Sequence, residues 1–276
     1  MVETMNLKIL AVLTDKNSIS IHNFCHEKSI SLFVGNPRQD RLKQFISNIT
    51  VEFIISINYL FLIGTDLISF PLKAAINLHG SLLPKYRGRT PHIWAIINNE
   101  KITGITAHLI SEECDEGDII LQKEILIDQK DTGAELLVKY QNEYPAMIQE
   151  LLDLINDNSL TYMKQNSSFA TYYDKRSPDD GRINWEWQKE RIYNWVRALA
   201  YPYPGAFCFY KGQKIVIDRC FFSNLGYDCS QKNGTILFIA KTNQLIVKTQ
   251  NGAIGISLRI GADDLKYKFK IGNFLK

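Results

Sequence analysis

Short apolar runs rich in β-branched residues recur in the first half of the chain and alternate with amphipathic stretches. Such runs predict strands, and the stretches between them predict helices. The predicted strands are Leu7–Leu13, Ser29–Val34, Val51–Ile57 and Ala74–Leu78, and the predicted helices are Arg41–Ser47 and Thr65–Phe70. Strands that alternate with helices are typical of βαβ units, so we expect a parallel sheet.

The alternation of predicted strands and helices continues from Pro91 to a long helix that ends near Ile155. Pro91 begins a predicted helix, with Thr90 as its N-cap, because proline is favoured at the first helical position and threonine just before it. The elements predicted here are the helix Pro91–Ile97, the strands Gly104–Ile110 and Ile119–Ile127, and an amphipathic helix from about Thr132 to Ile155. This half of the chain therefore predicts a doubly wound, mostly parallel α/β domain with a Rossmann-like fold.

The remainder of the chain has a different pattern. Polar residues and the turn-rich segment Ser177–Gly181 precede a helix predicted over Trp187–Leu199. Asn-Gly pairs at 233–234 and 251–252 lie among short strands and are typical of hairpin turns. The predicted strands are Phe207–Tyr210, Lys214–Phe222, Thr235–Ile239, Gln244–Thr249 and Ala253–Ile260. We expect an α/β domain at 1–160, a linker and helix at 161–199, and a small antiparallel, barrel-like β domain at 200–276.

Composition excludes several protein classes. The 276 residues are 45% hydrophobic and 22% charged, which is typical of a globular protein and unlike a disordered or collagenous chain. No apolar run approaches the roughly 20 residues needed to cross a bilayer, and the N-terminus lacks the features of a secretory signal. The five cysteines are scattered without a CxxC pair, which indicates reduced thiols and neither a disulfide framework nor a metal site. We expect a cytoplasmic protein.

Charge is unevenly distributed. The net charge is +3, yet the chain from Cys208 onward carries eleven basic and four acidic residues, a local balance of +7. A basic module of this kind is either a surface for anions or nucleic acid or the solvated face of a small β domain, and we favour the second interpretation.

The stretch from Ile76 to Gly88 holds the strongest candidate chemistry. In open α/β sheets, ligands bind beyond the carboxyl ends of the strands, where Asn77 and His79 lie. Residues two apart on a strand point the same way, so an amide donor and an imidazole converge on one reacting carbonyl. An acidic residue of a later crossover loop could orient that imidazole. Each residue alone is as easily an ordinary hydrogen-bonding group, but the complete string is far more specific.

This string resembles the signature of the N10-formyltetrahydrofolate-dependent formyltransferases, and the resemblance extends along most of the chain. The family pairs Asn and His on one strand with an Asp in a D-x-G-D loop, and Asn77, His79 and Asp115 match. The resemblance implies formyl transfer from N10-formyltetrahydrofolate to a primary amine, without a metal. Asn77 would donate to the oxyanion, His79 would assist proton transfer, and Asp115 would orient His79 and favour its charged form.

The resemblance also implies binding residues for both substrates. Candidates for the folate are Tyr59, Leu60, Phe61, Leu62, Ser81 and Asp118. Candidates for the diphosphate and base of a nucleotide sugar are Lys85, Arg87, His92, Trp94, Arg197 and Tyr203. Plain core packing is the alternative for the folate segment, and surface lysines and a core tryptophan are the alternatives for the second group.

Three further segments resemble the sugar nucleotide N-formyltransferases, especially those acting on amino sugars of lipid A and O-antigens: Arg89–Asn98, Tyr172–Trp185 and Ile192–Phe207. The favoured function is therefore formylation of a nucleotide-linked amino sugar for surface polysaccharide such as lipopolysaccharide, by an enzyme that is a homodimer. Methionyl-tRNA formyltransferase is the first alternative, supported by the basic C-terminal module and by Gly80. A formyltetrahydrofolate hydrolase and a non-catalytic binding protein are lesser alternatives. The chain departs from the family at Glu116, where a Thr is usual.

Overall fold

The computed structural model describes residues 7–38, 40–241, 244–259 and 269–276. Its first twelve elements are β1 (Ala11–Thr14), α1 (Ile19–Glu27), β2 (Ser31–Val34), α2 (Asp40–Ile46), β3 (Phe53–Ile57), α3 (Thr65–Ile68), β4 (Ala74–His79), β5 (Arg87–Gly88), α4 (Pro91–Ile97), β6 (Ile102–Leu109), β7 (Ile119–Leu126) and α5 (Gly133–Asn156). Apart from the helix α1 and the two-residue strand β5, each was predicted from the sequence, and the ends differ by a few residues. The predicted α/β pattern is confirmed.

The strands of this α/β part pair mainly in parallel, as predicted. β1 pairs in parallel with β2, and β3 with β4, in a second sheet of order β3-β4-β6-β7. β6 runs antiparallel to β4 and sets His108 opposite Asn77. An antiparallel neighbour starts from the edge where β4 ends, so the intervening loop begins and finishes at the carboxyl edge of β4.

Apolar side chains of the predicted strands form the core. Ile76 and Leu78 on β4 and Ile105 and Ala107 on β6 are almost completely buried. They alternate along β4 with Asn77 and along β6 with Thr106, as the two-residue period of a strand requires. One face of these strands is therefore fixed by packing, while Asn77 and His79 lie on the other face of β4.

The C-terminal part contains an antiparallel sheet. Its elements are β8 (Tyr172–Tyr173), α6 (Lys189–Ala198), β9 (Ala206–Tyr210), β10 (Gln213–Ser223), β11 (Ile236–Lys241), β12 (Gln244–Thr249) and β13 (Gly252–Leu258). The last five strands lie in the order β11-β12-β13-β10-β9, which is open. The antiparallel domain is confirmed, but these described strands do not close into a barrel.

Residues near the chain's last position bridge the two edges of this sheet. Phe209 of β9 exchanges two backbone hydrogen bonds with Lys276, of 2.6 and 2.8 Å. At the other edge, the amide of Ile236 donates to the carbonyl of Asn273, and the amide of Leu275 donates to the carbonyl of Gly234. The backbone groups of both edge strands are thereby partly satisfied.

Two local predictions are corrected. A hairpin joins β12 to β13 as predicted, but its two-residue turn is Gln250–Asn251, because Gly252 already lies in β13 opposite Thr249. Asn233–Gly234 does not join neighbouring strands because β10 pairs with β13 and β9. α4 begins at Pro91 as predicted, yet Thr90 has a left-handed backbone (φ 50°) and no capping hydrogen bond, and its buried hydroxyl has no partner among the described residues.

The chain folds into two compact units. The first comprises the described residues up to Gly88 with Gly104–Glu124 and Asn142–Tyr172, and the second comprises Arg89–Thr103, Ile125–Gln141 and the described residues from Tyr173 onward. The domain limits expected from the sequence, 1–160, 161–199 and 200–276, stay a prediction. Across the described ranges, every helix is too short or too polar to span a membrane.

Candidate active site

Asn77, His79 and Asp115 converge at the carboxyl end of β4. Asn77 and His79 lie on this strand, and Asp115 lies in the loop between β6 and β7. Nδ1 of His79 is 3.5 Å from Oδ2 of Asp115, and both side chains are largely buried. The same carboxylate oxygen accepts a 2.8 Å hydrogen bond from the amide of Gly88. The structure thus brings together the three residues selected from the sequence.

The surroundings of His79 determine which ring nitrogen carries a proton. Nε2 lies 2.8 Å from the carbonyl oxygen of Tyr86, which only accepts, so Nε2 is the donor in this bond. Nδ1 faces the carboxylate of Asp115. Both ring nitrogens of His79 therefore face oxygen acceptors of the protein, which fixes the orientation of the ring.

His108, on β6, is a fourth polar residue of the site. Its Nδ1 donates to the carbonyl of Leu109 (2.7 Å), and its Nε2 lies 3.2 Å from Nδ2 of Asn77 and 3.6 Å from Oδ1 of Asp115. Burial lowers the pKa of His108 to about 4; the nearby charge of Asp115 opposes this shift, and that of His79 adds to it. His108 is therefore neutral near pH 7, and its Nε2 is an acceptor.

The neutral ring of His108 fixes the side-chain amide of Asn77. An accepting Nε2 requires a donor opposite, so the nitrogen of the amide must face His108. One amide hydrogen is used in this bond, and the other has no partner within the described ranges. The sequence pattern predicts a strand through His108 but no role for this residue, which only the β4–β6 register reveals.

The Asp115 loop has an unusual backbone that other residues support. Asp115 has a φ of 57°, in the left-handed region that is unfavourable for residues other than glycine. A Cβ on Gly117 would overlap the carbonyl oxygen of Leu109, so only glycine fits there. Nε2 of Gln165 donates to the carbonyls of Asp115 (2.8 Å) and Gly117 (2.7 Å).

Arg87 was predicted to bind the diphosphate of a substrate, but the structure gives it partners inside the first unit. Its side chain is 1% exposed. The guanidinium donates to Oε1 of Gln165 through Nε (3.2 Å) and Nη2 (2.8 Å), forms a 2.9 Å ion pair with Glu116, and hydrogen-bonds Tyr172. The hydroxyl of Tyr172 also donates to Glu116. With these bonds made, Arg87 is placed to support the Asp115 loop.

The segment predicted to hold the folate is partly exposed. Leu60 and Leu62 are 56% and 58% exposed, so core packing does not explain them. Tyr59 and Phe61 are half-buried, with ring centres 5.6 Å apart, and the hydroxyl of Tyr59 donates to the carbonyl of Gly35. Burial, with the charge of Asp15, raises the pKa of Tyr59 to about 12.

Three other predicted residues of the first unit have simple environments. Ser81 is fully buried, and its hydroxyl donates to the carbonyl of Lys85 (2.7 Å), which shapes the turn after β4. The side chain of Lys85 is exposed, and Asp118 is half-buried. A charged contact with a substrate is open to Lys85, while Ser81 is occupied by the turn.

The four predicted residues of the second unit fall into separate clusters. Nε2 of His92 lies 2.9 Å from the hydroxyl of Tyr203, and burial lowers the pKa of His92 to about 4. Trp94 packs on Tyr173 with ring centres 4.8 Å apart, and the guanidinium of Arg176 lies over Trp94. Trp94 is thus part of an aromatic and cationic stack that the sequence did not predict.

Arg197 is bonded inside the second unit. It is 7% exposed, and its guanidinium donates to the carbonyls of Asp128 (3.1 Å) and Asp131 (2.7 Å) and to Oδ1 of Asn194 (2.9 Å). Burial lowers the pKa of Arg197 from its ordinary value. These contacts connect α6 to the segment before α5, which is a structural role and differs from the predicted contact with a substrate.

A cavity of about 870 Å³ in the second unit contains none of the predicted site residues. It is lined by Arg182, Ile183, Asn184, Trp185, Glu186, Cys229, Ser230, Gln231, Lys232, Asn233, Lys248, Phe274, Leu275 and Lys276. We place the chemistry at the convergence of Asn77 and His79, where polar groups are arranged around one point, and not at this cavity. Within the described part of the chain, no group of His, Cys, Asp and Glu is arranged to hold a metal ion.

Two family models match this chain. One, described as formyl transferase, matches residues 8–152, and the other, described as formyl transferase, C-terminal domain, matches residues 175–266. The bifunctional polymyxin resistance protein ArnA of Wigglesworthia glossinidia brevipalpis is 35% identical over 212 residues, which are 77% of this chain and 32% of that protein. The chain thus spans about a third of the length of this relative.

Solved structures share the fold. WlaRD, a sugar 3N-formyl transferase solved in the presence of dTDP and 5-N-formyl-THF, has a TM-score of 0.64 at 22% identity, covering 91% of this chain and 88% of that chain. The methionyl-tRNA formyltransferase from Clostridium thermocellum has a TM-score of 0.60 at 20% identity, and the match covers 91% of this chain and 99% of that chain. HypX from Aquifex aeolicus, in complex with tetrahydrofolic acid, has a TM-score of 0.62 at 19% identity. The match covers 89% of this chain and 43% of that chain.

Proposed function

The chain belongs to the formyl transferase family, and from this premise we propose that it transfers a formyl group from N10-formyltetrahydrofolate to the amine of a nucleotide-linked amino sugar. The family membership predicted from the sequence is confirmed. The observation that carries the proposal is the convergence of the Asn77 amide, the His79 ring and the Asp115 carboxylate at one strand end.

The reaction exchanges one amide for another. The amine nitrogen of the sugar bonds to the formyl carbon, the bond from that carbon to N10 of the folate breaks, and one amine proton ends on N10. The products are a formamido sugar and tetrahydrofolate. Negative charge develops on the formyl oxygen, so the site must supply donors there and a route for the proton.

Asn77 and His79 supply these needs. His108 holds the amide nitrogen of Asn77 by one hydrogen bond, which leaves the second amide hydrogen to donate to the developing oxyanion. When it is protonated, His79 also favours the oxyanion, and we assign proton transfer to the pair of His79 and Asp115. The arrangement is rigid because each partner lies on a strand or in a supported loop.

The apolar segment Tyr59–Leu62 would hold the folate. The faces of a flat pterin ring pack against apolar side chains, and the exposed Leu60 and Leu62 provide such a surface in the first unit. The exposed Lys85 is a candidate partner for a phosphate of the sugar nucleotide. Of the acceptor residues expected from the sequence, His92, Trp94 and Tyr203 also remain in this proposal.

Support for the sugar branch comes from the sequence and from the 35% identical relative, a bifunctional polymyxin resistance protein. The sequence support is the resemblance of three segments to enzymes acting on lipid A and O-antigen amino sugars. A product for lipopolysaccharide or O-antigen, a homodimer and a cytoplasmic location remain predictions. The basic balance of the C-terminal part favours methionyl-tRNA as the alternative acceptor.

A binding screen followed by a transfer assay tests this function. The protein is heated with dTDP, UDP, GDP or CMP, each with and without tetrahydrofolate, and with initiator methionyl-tRNA, because a ligand that binds the folded state raises the melting temperature. The nucleotide that stabilises it then selects the amino sugar used to measure formation of tetrahydrofolate. Stabilisation and turnover with tRNA alone would overturn the sugar assignment, and formate release without any amine would favour a hydrolase.

A further inference from the structure

We propose that Gln165 is a positioning residue, which holds the Asp115 carboxylate against His79, and that Arg87 fixes Gln165 in the orientation this requires. The inference rests on the proposed function, because it assumes that Asp115 takes part in formyl transfer. Gln165 lies in the polar stretch after α5 and is distant in sequence from β4 and from the Asp115 loop. The sequence pattern predicts only a linker in this stretch.

The side-chain amide of Gln165 is fully bonded. Both hydrogens of Nε2 are used, one toward the carbonyl of Asp115 at 2.8 Å and one toward the carbonyl of Gly117 at 2.7 Å. Oε1 accepts two hydrogen bonds from Arg87. The two carbonyls flank Glu116, so one side chain clamps the loop on both sides of that residue.

Arg87 prevents the opposite orientation of the amide. A guanidinium has donors only, so Oε1 of Gln165 must face it and Nε2 must face the loop. Arg87 is itself held by Glu116, Tyr172 and the backbone, where its amide donates to the carbonyl of Thr171 at 2.9 Å. The orientation of Gln165 is thus imposed by a buried cation and not by solvent.

The loop needs such a clamp because its backbone is unfavourable. A left-handed conformation at a residue with a side chain, such as Asp115, is less favourable than a right-handed one and persists when neighbouring contacts enforce it. The 3.5 Å separation of Asp115 from Nδ1 of His79 depends on this backbone. Loss of the clamp would let the carboxylate move, and small displacements in an active site reduce turnover strongly.

Two substitutions separate this role from simple support of Arg87. Gln165→Glu keeps an acceptor for Arg87 but replaces the donors facing the two carbonyls with a carboxylate oxygen, whereas Gln165→Met removes every bond. If Gln165 acts through the loop, both variants lose turnover, by about tenfold or more, with KM for the amino sugar changed by less than about threefold. Full activity of Gln165→Glu would overturn the proposal, since support of Arg87 alone would then suffice.

A double-mutant cycle makes the test specific. Turnover is measured for the unmodified protein, Asp115→Asn, each Gln165 variant, and each Gln165 variant combined with Asp115→Asn. Because Gln165 is proposed to act only through Asp115, its substitution should have no further effect once Asp115 is neutral. Losses that multiply in the double variant would overturn the inference.

Controls distinguish the possible failures. Gln149→Glu makes the same chemical change on the outer face of α5, where Gln149 bonds the exposed Asp153, and should leave turnover unchanged. Turnover is expressed per folded protein from circular dichroism, and a loss that vanishes with this correction contradicts a positioning role. An inactive unmodified protein, or a fully active Asp115→Asn, refutes the proposed function instead.

Discussion

The side-chain nitrogen of Asn77 lies 3.2 Å from Nε2 of His108, on the neighbouring strand. The opposite ring nitrogen of His108 donates to the carbonyl of Leu109, so the neutral ring can only accept from Asn77. A buried neutral histidine therefore sets the orientation of the amide that we assign to the oxyanion. Substituting His108 should test this coupling directly.

His108→Phe is expected to lower turnover by about 10- to 100-fold, less than removal of an oxyanion donor itself. The phenyl ring fills a similar volume but accepts no hydrogen bond from Asn77, so the amide can rotate. Steady-state kinetics with the acceptor found in the ligand screen measures the effect. His26→Phe, on the exposed face of α1, is the matched control. Unchanged turnover in His108→Phe would remove His108 from the site.

Asn77→Ala and His79→Ala should each reduce turnover at least about a hundredfold while the fold stays intact. Asn77→Ala removes the donor to the oxyanion, and His79→Ala removes the charge and the proton-transfer group. Single-turnover measurement of tetrahydrofolate formation reports the chemical step, and circular dichroism reports the fold. Near-normal turnover in either variant would contradict the assignment.

Acid should destabilise the fold through its buried histidines. Burial lowers the pKa of His108 and of His92 to about 4, below the ordinary 6.5. Between these values the unfolded chain binds more protons than the native one, so the free energy of unfolding decreases as pH falls from about 6.5 to about 4. Each group contributes up to about 1.4 kcal/mol per pH unit within this window.

Urea unfolding across this pH range measures the slope, and the variants His92→Phe and His108→Phe identify its source. Each variant should reduce the pH dependence of the free energy of unfolding by the contribution of one histidine, regardless of how the substitution changes stability at pH 7. A slope that is the same in both variants and in the unmodified protein would show that these histidines titrate normally.

Arg197→Met should destabilise the second unit by about 2 to 4 kcal/mol, because it leaves the carbonyls of Asp128 and Asp131 without their buried donor. Chemical denaturation measures this change. The bonded guanidinium also predicts little direct contribution to nucleotide affinity. A variant of normal stability with weakened nucleotide binding would restore the role expected from the sequence.

Gly117→Ala should perturb the Asp115 loop, since an added Cβ overlaps the carbonyl oxygen of Leu109. Backbone must move to relieve this overlap, so we expect a lower melting temperature together with lost turnover. Gly226→Ala is the control, because a Cβ at Gly226 meets nothing within 4 Å. Equal behaviour of the two variants would show that the loop tolerates displacement.

Local sequence patterns determined where strand β4 lies and which of its residues are candidates for catalysis. The period-two apolar residues of β4, such as Ile76 and Leu78, predicted the strand, and spacing two apart placed Asn77 and His79 on one side of it. The match of Asn77, His79 and Asp115 to a family signature then indicated formyl transfer. These features were predictable because they depend on neighbours within a few residues.

Tertiary structure alone decided which groups those residues meet. His108 reaches Asn77 through the β4–β6 register, and Gln165 reaches Asp115 across 50 positions of sequence. Arg87 and Arg197 were predicted to be cations for a substrate, yet each is bound by acceptors within its own unit. A sequence records that a side chain carries charge or hydrogen-bonding groups, but its partner depends on long-range packing, which the residue types do not specify.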